Sequence, residues 1–294
     1  MARILTLLLV LLLAPPPVWA EEEADTRSTS DLLVALAHSD YQVRRKAVLA
    51  AAGRKDAKLL EALLEIAKWD RHPNIRGYAA ESLATYEDPR IVPLLILMSR
   101  GDALGPREAA LVALGRTKDA RAYPVLVKGL DRPRGERGYA AKGLGLLGDK
   151  RAFDEIVKRY EQHLEDPYLN DMAPAALIAL DKERGLTYCR QRFPSTSAPA
   201  IWGLVRALGA EPTTETRALM MHTLLGTEDH DLRVATIRVL SKVADASSVK
   251  ALLDAMKAYP EHAFSIIAIL GRLGDARAPL PIELILEPSG WDSG

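Results

Sequence analysis

The residues best equipped for chemistry are few and scattered along the chain. Glu228-Asp229-His230-Asp231 sets three carboxylates beside an imidazole, a donor set that suits a divalent cation. The same four residues stand just before an apolar helical pattern that begins near Leu232. Acidic side chains there cap a helix and face its dipole, and that reading takes precedence. Cys189 is the single cysteine. It has no histidine close in sequence, forms no internal disulfide, and reads as a small buried hydrophobe. Arg132-Pro133-Arg134-Gly135-Glu136-Arg137 is basic enough to hold a phosphate or carboxylate, but reads more simply as a solvated turn. The sequence contains no G-x-S-x-G elbow, no P-loop, no H-E-x-x-H and no paired C-x-x-C. No catalytic residue, metal ligand or cofactor is assigned, and the expected class is not an enzyme. The alternative is a metal-dependent or enzyme-associated factor built on 228–231.

The elements that position these residues repeat. RRKAVLAAAGRKDAK (44–58), RGYAAESLATYEDPR (76–90), REAALVALGRTKDAR (107–121) and RGYAAKGLGLLGDKR (137–151) align without forcing. Their leading residues Arg44, Arg76, Arg107 and Arg137 are 32, 31 and 30 residues apart, and Asp56, Asp88, Asp119 and Asp149 keep the same intervals. The pattern returns at 233–248 and 263–278. Between them 167–229 is degenerate, with MAPAALIAL (172–180) and PAIWGLVRALG (199–209) as altered first helices. Asp31 to His38 reads as a lone helix ahead of the first complete pair.

Each repeat reads as two helices. Small residues such as Ala109, Ala110 and Ala113 let the first helix be approached closely. Leu114 is expected to be buried between repeats. Gly115, Gly148 and Gly274 are expected to end first helices in the left-handed conformation. The following Asp is placed to accept from the N–H groups that open the next helix. Pro93 and Pro124 fall near the start of second helices. Trp69 and Trp202 are expected to be packing residues. A lone pair of about 30 residues cannot bury its apolar face, so the pairs must stack. The expected fold is all-α: an α-solenoid (α-α superhelix) of about eight helix pairs.

Composition agrees. Hydrophobic residues make up 48%, charged residues 27% and aromatic residues 5%. Lys+Arg and Asp+Glu are both 39, a formal net charge of zero. Neutrality gives no general attraction to nucleic acid or anionic membrane. At the N-terminus, Arg3 precedes an apolar run from Ile4 to Ala14. Pro15-Pro16-Pro17 and Val18-Trp19-Ala20 then lead to Glu21. This is the layout of a secretory signal cleaved after Ala20, and the apolar run is short for a membrane span. The expected organisation is a signal peptide (1–20), a flexible segment (21–30), the repeat array (31–287) and a disordered tail (288–294). The mature chain is expected in the periplasm or secreted, with no integral membrane span.

The R-x-x-A-x-x-A-L of Arg107 to Leu114, followed by Asp119-Ala120-Arg121, resembles HEAT-like repeats of the phycobilin-lyase type. Leu144 to Arg151 and Leu270 to Arg277 carry the second half of the motif. The resemblance covers roughly 41–287 and implies a binding scaffold more than an activity. The related deoxyhypusine hydroxylase type holds iron on paired His-Glu dipeptides. None of His38, His72, His163, His222, His230 and His262 is followed by Glu. Bilin lyases work on intracellular proteins, which conflicts with export, and HEAT-like DNA glycosylases need a basic groove.

Solenoids of this type commonly bind along a concave row of second helices. Counting nine residues from each turn Asp gives Glu65, Leu97, Lys128, Lys158 and Asp254. Counting twelve gives Lys68, Arg100, Asp131, Glu161 and Lys257. The mixed signs suit a protein or peptide partner better than a polyanion. Near the C-terminus, Pro279, Pro281 and Pro288 flank apolar Ile282, Leu284, Ile285 and Leu286. A terminal repeat ordinarily has a polar outer face, so this segment is a candidate for self-association.

Overall fold

The computed structural model describes residues 26–101, 103–133, 135–195 and 200–274. The expected signal peptide, the expected tail and the C-terminal apolar segment lie outside the described residues. Every regular element described is a helix, sixteen α-helices joined by short turns. No helix among the described residues is long and apolar enough to cross a membrane. The chain divides into two compact units, one ending at Tyr86 and one beginning at Glu87.

The first unit holds α1 (Thr29–Leu36), α2 (Tyr41–Ala51), α3 (Ala57–Trp69) and α4 (Pro73–Leu83). Helix α1 starts at Thr29 because Ser28 and Asp31 form a reciprocal capping box. Asp40 and Asp56 cap α2 and α3, Asp56 by accepting from the N–H groups of Lys58 and Leu59. First helices α2 and α4 pack together, as do α1 and α3. Leu32, Val48, Leu63, Ile75 and Leu83 fill the core.

The register arginine is a structural clamp. Arg44 is buried, donates to Asp70 at 2.8 Å, and also donates to the His38 and Ser39 carbonyls at 2.9 Å. Arg76 donates in the same way to the Asp70 carbonyl at 2.7 Å, six residues back. These guanidiniums satisfy loop carbonyls that the turn leaves unpaired.

The second unit holds α5 (Ile91–Met98) and then five complete pairs. They are α6 (Leu104–Arg116) with α7 (Ala122–Gly129), α8 (Glu136–Leu147) with α9 (Ala152–Gln162), and α10 (Pro167–Leu180) with α11 (Lys182–Arg192). Next come α12 (Ile201–Gly209) with α13 (Thr214–Gly226) and α14 (His230–Val243) with α15 (Val249–Ala258). Helix α16 (Ala263–Leu273) is the first helix of a further pair. The arginine clamp continues here, with Arg107 donating to the Gly101 carbonyl and Arg233 to the Thr227 carbonyl. In the degenerate stretch Asn170 does the same work, donating to the Leu164 carbonyl at 2.6 Å, again six residues back. Both degenerate repeats are therefore ordinary helix pairs, and the first of them has a substituted clamp. Leu114 is fully buried.

First helices α6 to α14 pack successively on one another, while second helices α7, α9, α11 and α13 barely touch. Glycine is the reason. A Cβ on Gly115 would collide with the Gly143 carbonyl, and one on Gly203 with the Asn170 carbonyl. On Gly145 it would stand 2.7 Å from the Ala176 Cα. Gly115 thus serves close helix approach inside a helix, and does not end one in the left-handed region as expected. In that turn Lys118 takes positive φ at 58°, while Gly148 and Gly274 do so in theirs. The second helices, expected to form the concave row, are the looser-packed row of this stretch.

Candidate functional site

Turn aspartates act as expected. Asp119 accepts from the Arg121 N–H at 2.8 Å, and the Arg121 guanidinium folds back onto the same carboxylate at 2.7 Å. Asp88 with Arg90 and Asp149 with Arg151 repeat this arrangement. In all three the arginine hydrogen bond holds the carboxyl below its ordinary range. This D-x-R unit ties a turn to its own helix and leaves little for a ligand.

The other sequence candidates are also drawn into structure. Asp229 caps α14 by accepting from the Leu232 N–H at 3.0 Å. The His230 ring lies 5.1 Å from the His262 ring. Cys189 is fully buried with its Sγ 3.9 Å from the Pro174 carbonyl, and burial pushes its thiol up to about 12. Almost none of it is thiolate at neutral pH, so it is no nucleophile. Of the 132–137 stretch, Arg132, Glu136 and Arg137 are held in ion pairs. Glu136 is buried and pairs with Arg107 at 3.1 Å and Arg132 at 3.0 Å, while Arg137 reaches fully buried Asp166 at 3.4 Å.

All ten residues of the second-helix row are exposed. In the first unit Lys68 pairs with Glu65 at 3.0 Å across one helical turn. Beside them stands Trp69, which is 76% exposed and is therefore no packing residue. In the second unit Leu97 is 68% exposed. Asp131 accepts from Arg159 at 2.9 Å, which holds its carboxyl below the usual range. Glu161 pairs with Arg192 at 3.0 Å and accepts from the Tyr188 hydroxyl. Arg100, Lys128, Lys158, Asp254 and Lys257 stand in solvent without an ion pair among the described residues.

The sequence reading missed a groove on the other side of the second unit. It opens across first helices α8, α10 and α12 with a volume of about 390 Å³. Leu146, Met172, Ala175 and Ala179 line it, with Lys142 at one edge and Arg206 at the other. Arg206 pairs with Asp171. The groove exists because residues that elsewhere would fill the face of α10 are alanines. The signal was present in MAPAALIAL as Ala175 and Ala179 on the outward face after Met172.

Stacked helix pairs with an arginine clamp and a capping D-x-R turn define a HEAT-like repeat protein. Residues 29–104 match the HEAT repeats family, and residues 106–132 and 136–162 match the PBS lyase HEAT-like repeat. The chain therefore carries HEAT-like repeats of the phycobilin-lyase type. Among solved structures it is similar to a chain from the complex of CpcE and CpcF of phycocyanin lyase from Nostoc sp. PCC7120. That similarity has 19% identity and a TM-score of 0.49, and covers 88% of this chain and 100% of the other. No curated protein matches.

Proposed function

We propose that the protein is an exported, non-enzymatic scaffold that binds a protein or peptide partner through its second helices. In this reading residues 1–20 are removed as a signal peptide. The observation that carries the reading is Trp69. An indole with 76% of its surface in water is unusual for so large an apolar side chain. Tryptophan is also among the residues that most often dominate an interface. It sits beside Lys68 and one turn from Glu65, so an apolar anchor is flanked by one charge of each sign. Cys189 is committed to packing and Asp229 to capping.

The test is chemical cross-linking in the envelope fraction of the source cells with the wild-type chain and Trp69→Ala. Because Trp69 is exposed, the variant should melt with the wild type. A cross-linked species lost only in Trp69→Ala supports the reading, and identical species in both overturn it. N-terminal sequencing of the exported chain should give Glu21 as the first residue.

A further inference from the structure

We propose that the first helices of the second unit form a separate docking track for an acidic peptide with large apolar side chains. The chain is neutral overall, but its charges are not mixed evenly over the helices. Among the described residues of the first helices from Leu104 to Leu273, the exposed cations are Arg116, Lys142, Arg206, Arg238, Lys242 and Arg272. The exposed acid on the same helices is Asp231, at the first turn of α14, and half-buried Asp171 is taken by Arg206. Lys142, Arg238 and Lys242 have no ion-pair partner among the described residues.

These cations are contiguous. Arg206 stands one helical turn from Trp202, whose ring carries the Arg238 guanidinium at 4.9 Å. The stem of Lys242 lies over Gly209, where an added Cβ would stand 3.0 Å from its Cδ. The track thus runs from Lys142 across the apolar groove to Arg206, then over Trp202 and Arg238 to Lys242. Packed helices lie about 8–10 Å apart, so four of them span about 25–30 Å. An extended peptide rises about 3.3 Å per residue, and about eight or nine residues would cover that distance.

Both halves of the ligand's chemistry are written in the groove. Its floor of Leu146, Met172, Ala175 and Ala179 takes aliphatic side chains, and its Lys142 edge takes a carboxylate. A nucleic acid fits less well. The floor offers no aromatic ring for base stacking, the one nearby indole is already covered by Arg238, and Asp171 stands on the rim.

Fluorescence anisotropy with the whole mature chain tests this. The probe is a labelled peptide of about nine residues in which glutamate alternates with leucine. One control replaces each glutamate by glutamine, and another is a labelled single-stranded oligonucleotide of similar span. The glutamate peptide should bind, weaken as salt rises, and exceed the glutamine peptide and the oligonucleotide by about tenfold or more. Lys142→Ala with Arg238→Ala, both exposed changes, should lower its affinity about tenfold with no change in melting. Ala175→Trp should block the groove, while Trp69→Ala should bind normally. Absence of binding, equal binding of the glutamine peptide, tighter binding of the oligonucleotide, or indifference to the double alanine variant would each overturn the proposal. Any of these would leave the Trp69-dependent partner untouched.

Discussion

The two faces of the second unit solve the same stacking problem by different means. First helices are drawn together by backbone contact, with Gly115, Gly143, Gly145 and Gly203 standing where a side chain would strike the neighbouring helix. Second helices stay apart and are bridged by long charged side chains. Arg159 reaches Asp131, Arg184 reaches Asp154, Arg192 reaches Glu161 and Arg217 reaches Asp245. One row is held by shape and the other by exposed ion pairs, which are worth little individually. The difference also sorts the charge. On the second helices Asp154 and Glu161 are paired by the following repeat, while Lys142, Arg238 and Lys242 on the first helices have no ion-pair partner among the described residues.

Substitutions can break this comparison. The largest effect is expected from Leu114→Asp, which puts an unpaired charge at a fully buried site on first helix α6. It should cost about 3–5 kcal/mol, read as a large drop in melting temperature. Gly203→Ala comes next. In an open helix this change would stabilise by about 1 kcal/mol. Here the new Cβ meets the Asn170 carbonyl, and a loss of about 1–3 kcal/mol is expected from overpacking. Gly226→Ala is the matching change on second helix α13, where a Cβ meets nothing within 4 Å. It should be neutral or gain up to about 1 kcal/mol in urea unfolding. Were both glycine variants to shift stability in the same direction, the contrast between the rows would be wrong. Asp131→Asn removes one bridge, is exposed, and should cost less than about 1 kcal/mol.

The subtlest effect is a pH dependence confined to the last helices. His262 is held below its ordinary value, first by burial and then by His230 and Arg233, with Glu261 opposing. The unfolded chain therefore takes up this proton first. Stability is fully present above the ordinary histidine value of about 6.5 and falls as the pH drops from there toward the lowered folded value. Amide exchange in α14 and α16 should quicken over that window while exchange in α6 and α8 stays unchanged. Uniform quickening would show that the effect is not local.

Much of the fold is readable in the residues themselves, because each repeat states the same local rules. Arg44, Arg76 and Arg107 mark the register, the turn aspartates cap the following helices, and Leu114 is buried where the spacing places it. The degenerate middle was harder to read. There the register position changes chemistry from Arg137 to Asn170, 33 residues on, and the close-approach glycine moves from Gly145 to Gly203, 58 residues on. Gly115 was misread because a glycine near a helix end looks the same in sequence whether it bends the chain or admits a neighbour. The candidate surfaces were only half visible. The second-helix row follows from counting, but exposure of Trp69 depends on what the next helix fails to cover. The basic track is hidden because net charge sums over faces that the fold separates.

Cys189 offers a use that follows from its position. Its sulfur is sealed between α10 and α11 and holds its proton firmly. A thiol reagent in solution must wait for these helices to part before it can react. The rate of alkylation of the native chain is therefore a clock for breathing of the Asn170-clamped repeat, with no label to install and no competing sulfhydryl to subtract.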